Sequence, residues 1–178
     1  MNSSKNENRL LLPARFMLAF IWIMGGSLNM IDMSTPDAAD RYGTLLGQVW
    51  SKGLKIELQV PSTIYLSDTI PENPIPFART ILSDIVAPNI KIFLLMAPLT
   101  ELLIGITLLL GFMTRLSAIG AIFMNLTILL ASGHTHPGIL RVNLLMMAVA
   151  ITLLLSKTGR YIGVDKYLAK KYPNIPLW

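Results

Sequence analysis

The chain is 178 residues long, 53% hydrophobic and 14% charged, with a formal net charge of +5 and no cysteine. A soluble domain has roughly a quarter of its residues charged, so this composition points to a membrane and leaves room for a single domain over 1–178 built on about four spanning helices. The missing cysteines exclude disulfides, thiolate nucleophiles and cysteine-held iron–sulfur or zinc sites; Lys and Arg gather at helix ends and in the tail, which argues for membrane orientation and against nucleic acid.

In chain order, the first apolar stretch covers about residues 10–31, after Lys5 and Arg9. A charged start before an apolar core has the form of a secretory leader, but we expect this segment to be retained as a span. Residues 32–88 follow, with seven acids against four bases. A loop of this length without local structure is improbable. "DAADRYGTLLGQVWSKG" reads as a short helix stopping at Gly53, "LKIELQVPSTIYL" alternates and reads as extended, and "PIPFARTILSDIVAP" puts Phe77, Ile81 and Ile85 on one apolar helical face. We expect this segment to cap the outer mouth of the bundle.

Three more spans are expected over about 89–111, 114–132 and 138–156. The basic residues of the N-terminal stretch, the turn at Arg115 and the tail 157–178 all fall on one side of a four-span arrangement. Both termini are therefore expected to be cytoplasmic in the cell membrane, with 32–88 and "SGHTHPG" outside. The tail reads as a surface helix with lysines and tyrosines at the lipid interface. The fold class is an all-α integral membrane protein, a four-transmembrane-helix bundle with a structured outer loop between the first two spans.

Within the second span stands a carboxylate, Glu101. A charge near a helix centre costs about 2.5–3.5 kcal/mol on insertion scales, while each Leu, Ile or Phe returns about 0.3–0.6. Residues 90–112 contain fourteen of these three types, so the span still inserts. Ala97 and Gly105 lie one turn to either side of Glu101, a small-residue stripe that lets another helix approach, and Pro98 is expected to kink the helix just before it. Comparable stripes run through Arg15, Ala19, Trp22, Gly26 and Asn29 in the first span, through Ser117, Ala121 and Asn125 in the third, and through Arg141, Leu145, Ala148 and Thr152 in the fourth. Together they predict a polar seam inside the bundle. At about 1.5 Å per residue, Glu101 and Asn125 share one level, with Arg15 and Arg141 about 7–8 Å below and above. Glu101 is then either a structural ion pair with one of these arginines or a neutral acid that handles protons.

His134 and His136 stand in the outer turn "GHTHPG". Two histidines without a third ligand are a weak metal signal, and no metal is expected. In an acidic exterior they would be protonated and, with Arg141, attract anions. The ten methionines read as flexible fillers of the core.

The arginine early in "ARFMLAFIWIMGG" and the pattern E-x3-G-x5-G-x2-T-R in "TELLIGITLLLGFMTRLSAIGA", set in four spans with a large first outer loop, resemble the DoxX/DoxD family. Within it, the length, the outer segment and the lack of cysteine look most like DoxD, the membrane subunit of archaeal thiosulfate:quinone oxidoreductase. The resemblance lands on Arg15, Glu101, Gly105, Gly111, Thr114 and Arg115. It implies oxidation of thiosulfate to tetrathionate at the outer face and reduction of a membrane quinone, with a DoxA-like second subunit as partner and a terminal quinol oxidase downstream. In that setting Glu101 and Arg141 are the candidate catalytic groups, His134, His136, Arg15 and Asn125 the candidate substrate-binding groups, and Gly105, Gly111, Thr114 and Arg115 the structural motif. The competing reading is a non-catalytic structural or assembly subunit of a larger respiratory complex, with the polar seam serving only to fix helix register.

Overall fold

A computed structural model describes residues 9–32, 70–134 and 137–174. Among these residues every regular element is helical: α1 (Leu12–Asp32), α2 (Pro76–Ile81), α3 (Ile90–Leu110), α4 (Thr114–Ser132), α5 (Pro137–Leu155), α6 (Thr158–Tyr161) and α7 (Asp165–Lys171). The four long helices fall on the four segments expected from the sequence. Of these, α4 and α5 are long and apolar enough to cross a membrane, while α1 and α3 contain the shorter apolar stretches Leu12–Ser27 and Met96–Leu110.

Helix α1 packs chiefly on α3, and α4 on α5, with α3 meeting α4 and α1 meeting α5 to close the bundle. Leu18, Ala19 and Trp22 of α1, Ile104 and Leu108 of α3, Ala118 and Ala121 of α4, and Met146, Ala150 and Leu153 of α5 form the core. The outer surface carries Met17, Phe20, Leu103, Phe123, Leu145 and Leu155, each more than three-fifths exposed. Arg15, Glu101, Asn125 and Asn143 are buried instead. Polar side chains buried beside this core, with so many large apolar ones outside, depart from the arrangement of a water-soluble protein.

Glycine sets the α1–α3 distance. A methyl group at Gly105 would lie 2.7 Å from Ile23 Cγ1 and 2.9 Å from the Ala19 carbonyl oxygen, and one at Gly26 would lie 2.7 Å from the Pro98 carbonyl oxygen. The two helices therefore touch backbone to backbone, as small-residue stripes allow. Pro98 lies inside the continuous helix α3. At the far end, Gly111 adopts φ +61°. Its amide bonds Leu108 O at 3.2 Å while Phe112 N bonds Thr107 O at 2.9 Å, the two bonds of a Schellman motif that ends α3 sharply.

Three expectations change. The predicted short helix at 37–53 and the extended stretch after it lie outside the described residues, but the helix expected at 74–88 is present. It begins as α2, widens into a π-helical turn at Leu82–Val86, tightens at Ala87–Asn89 and continues directly into α3. Its inward residues are Ala78 and Leu82, whereas Phe77 and Ile85 are exposed. The anchoring of Asn73 on α4, described below, fixes which face turns inward, and the wide turn shifts the later residues off a 3.6-residue period.

The second change is in α5. Arg141, Leu145, Ala148 and Thr152, expected to line the seam, all lie on the exposed face; Asn143, Met146, Ala150 and Leu153 are the buried ones. Leucine surrounds this helix on every side, so its hydrophobic pattern carries no phase. The third concerns Arg15. It sits against Gly111, ten residues along α3 from Glu101, or about 15 Å at the helical rise, beyond the reach of an ion pair.

Candidate functional site

Two buried polar clusters lie at different levels along the bundle, whose end at the α3–α4 turn is called inner and whose opposite end is called outer. In the middle, the antiparallel register of α1 on α3 brings Gly25 opposite Glu101. A methyl at Gly25 would stand 3.2 Å from Glu101 Oε2, so the bare backbone of α1 makes the space in which the carboxylate lies. Asn125 on α4 and Asn143 on α5, counted from the inner helix ends, fall at the same depth of about 15–18 Å. Each amide turns back on its own helix: Asn125 Nδ2 donates to Ala121 O at 2.8 Å, and Asn143 Nδ2 donates to Ile139 O at 2.8 Å. Asn125 Oδ1 and Trp22 Nε1 are buried without a hydrogen-bond partner among the described residues. Orphaned buried polar atoms are rare in folded chains. They give this level one acceptor and one donor close to the bundle core, together with the buried carboxyl of Glu101.

The inner end is built differently. Arg15 is 1% exposed, and its Nη1 donates to Thr158 O at 3.0 Å and to Ile162 O at 2.6 Å, while its guanidinium carbon lies 4.9 Å from the Phe16 ring centroid. Asp165, fully buried, interacts electrostatically with Arg15. Its two oxygens accept from Met113 N at 2.6 Å and Thr114 N at 2.9 Å. A carboxylate supplied by the tail thus caps the start of α4, where free amides and the helix dipole favour negative charge. It also holds Met113 at φ 47°, a left-handed conformation costly for a side chain of this size.

The tail is held close. Val164 N and Asp165 N donate to Leu110 O and Gly111 O at 3.2 and 2.9 Å. Gly163 and Gly111 pack face to face, so that a methyl on either would lie within 2.9 Å of the other's Cα. Gly159 leaves no space for a side chain between Thr114 Oγ1 and the Asp165 carboxylate.

At the opposite end, Asn73 is buried, donates to Leu130 O at 2.8 Å and accepts from Ile75 N at 3.0 Å, tying residues 70–75 to the last turn of α4. His134, one turn further, is half-buried, and its Nε2 has no partner among the described residues. His136 lies outside the described residues. Arg141 is exposed on α5.

The residues singled out from the sequence therefore divide. Glu101, Asn125 and Gly105 belong to the middle of the bundle; Arg15, Gly111 and Thr114 belong to the inner end; Arg115 is half-buried at the start of α4; His134 and Arg141 stand near the outer end and are not brought to Glu101. Sequence reasoning missed Gly25, Asn143, Thr158, Gly159, Gly163 and Asp165. A signal for the last group was available: Asp165 is the single acid in the basic tail, set just after two glycines in "TGRYIGVD".

A model of the DoxD family, described as the TQO small subunit DoxD, matches residues 58–177. The match includes Glu101, Gly105, Gly111, Thr114, Asn125 and Asp165, and starts after Arg15 and Gly25. No solved structure matches the chain.

Proposed function

Since the chain belongs to the DoxD family, we propose that it is the membrane subunit of a thiosulfate:quinone oxidoreductase, with α1, α3, α4 and α5 all spanning the membrane and both termini cytoplasmic. The reaction couples two thiosulfates into one tetrathionate, releasing two electrons; a quinone takes up those electrons and two protons to become a quinol. The family's description as a small subunit fits a division of labour in which a second, DoxA-like subunit passes electrons from thiosulfate to the quinone. A terminal quinol oxidase would then reoxidise the product.

The observation that carries this reading is the burial of Glu101 against Gly25 at mid-depth. Quinone reduction inside a bilayer needs a proton source where water is scarce, and a buried carboxyl is a group that can carry and deliver a proton there. Trp22 Nε1 and Asn125 Oδ1 support the same reading, since a quinone oxygen accepts a hydrogen bond and a quinol hydroxyl donates one. Arg141 and His134, near the outer end, are assigned to attracting the thiosulfate dianion rather than to meeting Glu101.

The test is thiosulfate-dependent quinone reduction by membranes carrying Glu101→Gln together with the partner subunit. The amide keeps the shape of the side chain but holds no transferable proton, so turnover per assembled complex should fall by about 10²–10⁴, the usual worth of a general acid. Normal turnover would remove Glu101 from the mechanism and favour the assembly-subunit reading.

A further inference from the structure

The inner clamp has a consequence for charge. Among the described tail residues, 157–174, Asp165 is the only acid beside Lys157, Arg160, Lys166, Lys170 and Lys171. That one carboxylate is buried and engaged with the amides of Met113 and Thr114, so it does not neutralise the lysines at the surface. The helical turn then sorts α7 into two faces. Asp165, Leu168 and Ala169 face inward, whereas Lys166, Tyr167, Lys170 and Lys171 are exposed on the other side. Lys171 Nζ rests 5.4 Å from the Tyr172 ring centroid.

Height is fixed as well. Because Asp165 caps the first turn of α4, α7 starts level with the end of a helix long enough to cross a membrane. The surface beside it is apolar: Ile162, Leu110, Phe112 and Leu116 are all exposed. The exposed lysines of α7 and these exposed apolar residues therefore lie at the same end of the bundle. Tyrosine and lysine in this position read as interfacial anchors.

We propose that the outward face of α7 is a binding site for the phosphate headgroups of anionic lipids, with Lys166, Lys170 and Lys171 as its cations and Tyr167 at the acyl boundary. Cationic side chains at the same end of the bundle as exposed apolar ones select a lipid, which offers an anionic headgroup and an acyl chain together. The Arg15–Asp165 clamp is what makes the site rigid, holding three lysines at one depth. The proposal goes beyond the catalytic reading and requires only that the bundle sits in a membrane.

The experiment uses the full-length chain with any co-purifying subunit, reconstituted into nanodiscs of phosphatidylcholine alone or of phosphatidylcholine with phosphatidylglycerol; successful reconstitution checks membrane placement separately. Lipids retained on the protein are counted by native mass spectrometry, and the thermal midpoint is followed in both discs. Wild type should retain phosphatidylglycerol in preference and melt at a higher temperature in its presence. Each of K166Q, K170Q and K171Q should weaken anionic-lipid affinity roughly fivefold. The triple variant should lose the preference while keeping its midpoint in phosphatidylcholine, because these side chains are exposed. Raised salt should reduce the preference in wild type. Equal retention of the two lipids by wild type, a preference that survives in the triple variant, or a midpoint shift reproduced by inorganic phosphate alone would each overturn the site.

Discussion

The middle of the bundle and its inner end both bury ionisable side chains, and they hold them differently. At the inner end, Arg15 and Asp165 meet backbone carbonyls and amides from segments far apart in the chain, joining α1, the α3–α4 turn and the tail into one fastening. At mid-depth, Glu101 lies where Gly25 has no side chain, Asn125 and Asn143 bond their own helices, and Asn125 Oδ1 and Trp22 Nε1 stay unpaired among the described residues. The inner cluster ties separate segments together as a lock, although Arg15 Nε and Thr114 Oγ1 also lack a partner among the described residues; the middle one places its amides on their own helices beside a buried carboxyl. One sequence pattern, E-x3-G-x5-G-x2-T-R, runs through both, so its glutamate and its Gly111–Thr114 end are to be tested for different properties.

The largest loss of stability is expected at the lock. Asp165→Ala removes the acceptor for two amides and leaves Arg15 buried without its opposite charge, a change worth about 3–5 kcal/mol. A thermal melt in detergent should show a sharply lowered midpoint; an unchanged midpoint would mean that the tail does not hold the inner end together. Next comes the helix contact. Gly105→Ala forces a methyl into the backbone of α1 and should cost about 1–3 kcal/mol. Gly120→Ala is its control, because the new methyl would meet only Ile104 side-chain carbons at 3.5 Å, an ordinary contact. That substitution should be neutral or slightly stabilising through helix propensity, and equal losses at the two positions would contradict the α1–α3 register. The smallest change is expected from Arg141→Gln on the exposed face of α5, within about 0.5 kcal/mol in the same melt.

The sequence made the long helices legible, because apolar runs of the right length end at sharp punctuation. Gly111 before Thr114 and Gly133 with Pro137 mark the limits of α4 and the start of α5 almost to the residue. The inward stripes of α1 and α4 were legible too, since Arg15, Ala19, Trp22 and Gly26, or Ser117, Ala121 and Asn125, differ plainly from their leucine-rich neighbours. In α5 that contrast fails. Arg141 is the one charged residue of α5, yet a long side chain near the end of an apolar helix can carry its charge outward from an exposed face. Nor could local pattern join Arg15 to Thr158, Ile162 and Asp165, because that cluster is made by topology across nearly the whole chain. The opposition of Gly25 to Glu101 depends on the register of α1 against α3, and a sequence that places Gly25 beside Gly26 does not say which one faces the carboxylate.

The division between lock and seam is tested most directly by measuring thiosulfate-dependent quinone reduction per assembled complex in Glu101→Gln and Asp165→Asn side by side. Glu101→Gln should assemble in wild-type amounts and lose turnover by about 10²–10⁴, whereas Asp165→Asn should lower the amount of folded complex and leave the turnover of what assembles nearly unchanged. Full turnover in Glu101→Gln, or a loss of assembly that accounts for all of its lost activity, would contradict the assignment of the mid-depth carboxyl to proton transfer.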